Sequence, residues 1–112
     1  MVTPETTIRE AVASDLPSLH GMFRRFVQTE AYRSYIGDKP AHSEAFLTFL
    51  IGNPDSTIFV SESDGGVVGM LGLMAYAHPM SGERVASEAF WWLDPGHRGY
   101  GGWLLKRGEK WA

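Results

Sequence analysis

The sequence predicts an α+β domain of the broad α/β class, a mostly antiparallel sheet flanked by helices in the order β-α-α-β-β-β-α. Three observations carry that prediction. Apolar residues recur at helical spacing early in the chain and again at its end, while the stretch between them is built of β-type runs. Those runs are separated by short turn signals, Asp64-Gly65-Gly66 and His78 to Gly82, which favour antiparallel neighbours. A chain of 112 residues, 44% hydrophobic and 21% charged, suits one core, so residues 1–112 are read as a single domain.

The elements follow in chain order. Thr6 to Ala11 alternates weakly and reads as a short first strand. Ser14 is placed to cap a helix, with Asp15 in the first turn and Pro17 early enough to be tolerated. Leu16, Leu19, Phe23, Phe26 and Val27 form its apolar stripe, Arg24, Arg25 and Gln28 fall on the other face, and His20 is expected in solvent. From Ala31 to Ala41 the periodicity is lost. That segment reads as a loop or broken helix, and the Tyr32–Pro40 part is a candidate for lining a substrate. Ser43 then caps a second helix carrying Phe46, Phe49 and Leu50, which stops at Gly52-Asn53-Pro54. Thr57 to Ser61 is a strand, Val67 to Ala77 a longer one, and Arg84 to Leu93 the next. Gly69 and Gly72 inside the second of these mark a bulge or a close backbone approach.

Composition narrows the function classes. A formal net charge of −3 argues against a general nucleic-acid binder. The absence of cysteine removes disulfides, thiolate metal sites and cysteine nucleophiles. No secretory signal or long apolar run is present, so the expectation is a cytoplasmic protein without a membrane span.

The informative stretch is Glu88 to Ala112. Ala89 to Leu93 is an apolar, aromatic strand. Asp94-Pro95-Gly96 ends it, because proline has no N–H to donate. Arg98-Gly99-Tyr100-Gly101-Gly102 leads into a helix containing Trp103, Leu104 and Leu105. A glycine-rich turn feeding a helix directs unpaired N–H groups and the positive end of the helix dipole at one spot, which suits a phosphate. The run lacks the Gly-Lys-Ser/Thr of a Walker A loop. It also lacks the spacing and early position of a dinucleotide fingerprint.

What survives is Arg98-Gly99-Tyr100-Gly101 after a strand ending in Leu93-Asp94-Pro95. This resembles the GNAT superfamily of acetyl-CoA-dependent N-acyltransferases, whose motif is Arg/Gln-x-x-Gly-x-Gly/Ala after a strand often ending in Val-Asp-Pro. Arg98 and Gly101 match the first two fixed positions. The third falls on Trp103 rather than a small residue, with Gly102 beside it to allow close approach. Ile8-Arg9-Glu10-Ala11 and Asp15-Leu16-Pro17 also look like the opening of that family. The strand order agrees over nearly all of the chain, and the family's sheet is mixed but mostly antiparallel.

The resemblance implies acetyl transfer from acetyl-CoA to a primary amine of a small molecule or peptide, without a metal. It places the CoA diphosphate on backbone N–H groups of Arg98, Gly99, Tyr100, Gly101, Gly102 and Trp103. The pantetheine arm would lie along Trp92 and Leu93, with Asp94 at the edge, and backbone N–H groups of that strand would stabilise the oxyanion. Glu88 is the only carboxylate well inside the strand. It is the candidate base for the amine, unless it is simply a solvated strand-start residue. His78 is a second, more remote candidate. Family members continue after this helix with another strand and helix, whereas this sequence stops at Ala112. The expectation is therefore a shortened or partial domain and a homo-oligomer in which a second copy covers the open sheet edge and its tryptophans. A non-catalytic CoA-binding or protein-interaction module built on the same fold is the alternative.

Overall fold

The computed structural model describes residues 7–28, 40–63, 65–94 and 101–112. Strand β1 is Thr7–Glu10. A 3-10 turn over Ala13–Asp15 leads into helix α1, Leu16–Val27. Helix α2 is Pro40–Gly52, and β2, β3 and β4 are Ser56–Ser63, Gly66–Ala77 and Arg84–Leu93. Helix α3 is Gly101–Trp111. The strands form one sheet in the order β1-β2-β3-β4, and each neighbouring pair is antiparallel. The predicted order and fold class hold. Among the described residues, no helix is long and apolar enough to cross a membrane.

Strand alternation divides the core in two. On one face Ile58, Val60, Met70 and Phe90 pack with Leu19 and Met22 of α1 and Leu47 and Leu50 of α2. On the other, Phe59, Leu71, Leu73 and Leu93 pack against Leu104 of α3, with Trp91 and Trp111 beside them. Burial of this apolar surface from both sides drives the fold and explains why β2 is buried along most of its length. Helix α3 sits close to the sheet because Gly108 has no side chain. A Cβ there would fall 2.8 Å from Leu71 Cδ2 and 2.9 Å from Leu73 Cδ1.

Several local expectations are corrected. Ser14 is exposed, and Asp15 occupies the N-cap position of α1. The Asp15 carboxylate accepts the Val12 N–H at 2.8 Å instead of a helix N–H. It is drawn there because Arg9 closes a two-pronged pair on it, at 2.8 and 2.9 Å. Helix α2 starts at Pro40, whose fixed φ suits a first helical turn, and not at Ser43. Of the Ala31 to Ala41 segment only Pro40 and Ala41 are described, and both belong to α2. The buried stripe of α2 is centred on Leu47 and Leu50, so Phe49 falls on the solvent side and is 49% exposed. His20 is half-buried, and its Nε2 has no hydrogen-bond partner among the described residues.

Candidate active site at the β4 bulge

The site begins with a mismatch between two strands. Gly72 stands opposite Phe90, but Leu73 stands opposite Glu88, so Ala89 has no counterpart on β3. One extra residue on one strand is a β-bulge; it interrupts the ladder and bends the strand. Gly72 is part of the cause. The Phe90 ring lies across it so closely that a Cβ at Gly72 would fall 2.6 Å from two ring carbons. A second slip occurs at Ser61/Glu62, where Val68 is the extra residue of β3. Its carbonyl accepts the Asp94 N–H at 2.8 Å and fixes the end of β4. Both expected glycine positions therefore lie at or beside bulges.

Beside the first bulge lies a cleft of about 210 Å³, lined by Phe23 and Phe26 of α1, Phe46 of α2, and Glu88 to Trp91 of β4. Its aromatic walls are held by ring contacts. Phe23 meets Phe90 edge-on at 5.6 Å and Phe26 at a tilt at 5.9 Å. Phe46 meets Phe90 edge-on at 6.3 Å, and Phe26 meets Trp92 edge-on at 6.0 Å. The first-helix phenylalanines were legible as an apolar stripe, but their position as cleft walls was not. The cleft exists only once α1, α2 and β4 are packed together.

Glu88 is exposed on β4, one residue before the bulge. No hydrogen bond or ion pair joins it to another described residue. Trp92 packs its ring on α1, and its indole N–H donates to Asp94 Oδ1 at 3.0 Å. Leu93 is buried on the α3 side. Asp94 is half-buried, and its carboxylate takes three contacts of 3.0 to 3.1 Å from Arg25 Nε and Nη2. The sequence puts Arg25 on the polar face of α1; its partner lies 69 residues away, and no local pattern could have found it. His78 is fixed in the β3–β4 turn, where its Nδ1 accepts the Met80 N–H at 3.0 Å, away from the bulge.

Of the predicted diphosphate cradle, Arg98, Gly99 and Tyr100 lie outside the described residues. Gly101, Gly102 and Trp103 form the first turn of α3, so the helix starts earlier than the sequence suggests. The first N–H groups of a helix have no intrahelical acceptor, and the dipole adds positive potential there. These residues fit an anionic group. Just after them Leu104 packs with Leu93, so the start of α3 lies by the end of β4.

The family model described as Acetyltransferase (GNAT) family matches residues 20–112. The chain belongs to the GNAT acetyltransferase family. No curated protein matches the chain in sequence. Among solved structures, it is similar to the aminoglycoside 6'-N-acetyltransferase AAC(6')-IG from Acinetobacter haemolyticus. That match has 18% identity and a TM-score of 0.76, and covers 95% of this chain and 70% of that one. AAC(6')-Iy, solved with a bisubstrate analogue of CoA and acetylneamine, matches with 15% identity, a TM-score of 0.76 and the same coverage. The ribosomal-protein-alanine N-acetyltransferase of Brucella melitensis biovar Abortus 2308 matches with 15% identity and a TM-score of 0.70, covering 94% and 70%. At these identities the likeness is one of fold. It covers about seven tenths of each neighbour's length.

Proposed function

We propose that the protein transfers an acetyl group from acetyl-CoA to the primary amine of a small molecule or peptide, at the β4 bulge. The observation that carries this reading is the unpaired residue Ala89, set between Glu88 and the aromatic cleft in a chain of the GNAT family. AAC(6')-Iy was solved with a CoA-based bisubstrate analogue, which supports CoA as the donor here.

Acetyl-CoA supplies the activated acetyl group when bound. The chain's own residues do the rest. The N–H groups of Gly101, Gly102 and Trp103 at the start of α3, together with those of Arg98, Gly99 and Tyr100, would hold the diphosphate, and the glycines would admit it closely. Trp92 and Leu93 flank the pantetheine arm, with Asp94 at the edge held by Arg25 and Trp92. A β4 backbone N–H left out of the ladder at the bulge would stabilise the carbonyl oxygen, where hydrogen bonding is worth most as charge develops. Glu88 would take the proton that an ammonium must lose before its nitrogen can attack, directly or through one water; the C–N bond then forms, the C–S bond breaks, and CoA leaves as the thiol with the proton shed by the attacking nitrogen.

Titration calorimetry with acetyl-CoA, followed by a thiol-release assay over a panel of amines, tests the reading. Binding together with amine-dependent thiol release is expected. Glu88→Gln should lower kcat about 10²-fold or more and leave acetyl-CoA binding in place. Binding without turnover of any amine would favour the non-catalytic module, and no binding at all would remove the reading.

Two further parts of the reading are separately testable. We place the protein in the cytoplasm with its donor, and cell fractionation addresses that. We also propose a homo-oligomer in which a second copy covers the β4 side of the sheet. β4 is one of the two edge strands among the described residues, and Trp91 there is only half-buried. A monodisperse monomer by light scattering at high concentration would dispose of the oligomer.

A further inference from the structure

We infer that the acceptor is a compact monoamine on a single aromatic or branched apolar body, and that Phe23, Phe26 and Phe46 select it. This rests on the acetyl-transfer reading of the same site and narrows its substrate class.

Three properties of the cleft lead there. The first is its wall. Phe23, Phe26 and Phe46 are half-buried, neither filling the core nor lying on the surface. Each ring is braced edge-on against a β4 aromatic, Phe90 or Trp92. Braced rings form a preorganised apolar surface, so little ordering is lost when a ligand ring or branched chain settles against it. Ring faces also attract an ammonium group, most strongly where water is excluded.

The second property is size. A volume of about 210 Å³ lies below the ~300–1,000 Å³ usual for drug-sized ligands. It admits one ring or a short branched chain, not several linked sugars. The third is charge. Glu88 is the only ionisable residue among the described lining residues. A polycation bound here would bring several ammonium groups to an apolar wall with one carboxylate among its described residues, and each group unmatched there would lose its hydration uncompensated. A monoamine brings one positive charge and leaves its body to the phenylalanines. The bulge borders the same cleft, so an amine whose body lies on the rings is within reach of the strand where transfer occurs.

The test separates ligand choice from turnover. The whole protein is titrated calorimetrically with 2-phenylethylamine, with its uncharged counterpart 2-phenylethanol, and with spermidine and kanamycin. The same amines are run with acetyl-CoA in the thiol-release assay. Phenylethylamine should bind at least about tenfold tighter than either polycation, a difference of ~1.4 kcal/mol. Phe26→Leu and Phe46→Leu keep much of the side-chain volume. With unchanged circular dichroism, they should weaken phenylethylamine several-fold and leave spermidine where it was. Glu88→Gln should weaken phenylethylamine but not phenylethanol.

Polycations binding as tightly as phenylethylamine, or affinities indifferent to both leucine variants, would overturn the assignment. If phenylethylamine binds as expected but acetyl-CoA neither binds nor is consumed, the cleft assignment stands and the acetyl-transfer reading falls. If polycations are acetylated and phenylethylamine is neither bound nor acetylated, the reading stands and this inference falls.

Discussion

Helix α1 is tied to the sheet at both ends by an arginine forked onto an aspartate, and the two forks are unlike in everything except geometry. At the first, Arg9 of β1 grips Asp15 at 2.8 and 2.9 Å and reaches Glu62 of β2 at 3.1 Å. The Asp15 side chain is only 10% exposed. At the second, Arg25 of α1 grips Asp94 just after β4 at 3.0 to 3.1 Å, and there the arginine is 51% and the aspartate 21% exposed. Distance alone would set them only slightly apart. Burial decides otherwise, because a screened pair in water is worth little while a carboxylate withdrawn from water depends on its partners. The first fork is an anchor of the fold. The second is a positioning contact beside the site.

The comparison is tested most severely at Asp15. Asp15→Ala removes both contacts with Arg9 and the acceptor for the Val12 N–H. Charged hydrogen bonds are worth ~1.5–3 kcal/mol each, but Arg9 is a third exposed and keeps Glu62. The expected loss is about 2–3 kcal/mol in chemical denaturation. Next comes acid. The Arg9 guanidinium holds the Asp15 carboxyl below its ordinary range, against the opposing effect of burial and with help from the Val12 N–H. Between the folded and unfolded values the unfolded chain binds more protons, so stability rises with pH across that window. The contribution is complete above the unfolded value of about 4 and is lost as pH falls through the lower folded one. A denaturation series from pH 7 downward should show this acid limb, and Asp15→Asn should flatten it. Arg9 is raised by Asp15 first and Glu62 second, far above any pH of interest, and adds no slope there.

The smallest effect belongs to the second fork. Asp94→Ala should cost about 1 kcal/mol or less in stability. It also removes the Asp94 acceptor of the Trp92 indole N–H, so its larger signature should be a change in tryptophan fluorescence. If Asp94→Ala destabilised the protein as much as Asp15→Ala, burial would not be what separates the forks.

Much of this architecture could be read from the chain, and the part that could not has a common cause. The bounds of β4 came out as predicted because its apolar run ends at a proline and begins after a turn, both local signals. The stripe of α1 is equally local. The Arg25–Asp94 pair, the bulge at Ala89 and the cleft are relations between segments distant in sequence. A bulge in particular belongs to two strands together, and nothing in Glu88-Ala89-Phe90 alone announces it. The same limit explains Ser14, which is a good capping residue by type. It yields to Asp15 only because Arg9 is within reach.

The bulge has one further consequence. Ten residues of β4 run alongside nine of β3, and the pairing on either side of Ala89 is regular. Removing Ala89 would therefore bring the two halves of the ladder into one continuous register, with each existing partner kept. The extra residue is a discontinuity the sheet does not need in order to close. Shortening the chain there by a single codon separates what the strand requires to fold from what the cleft requires to work.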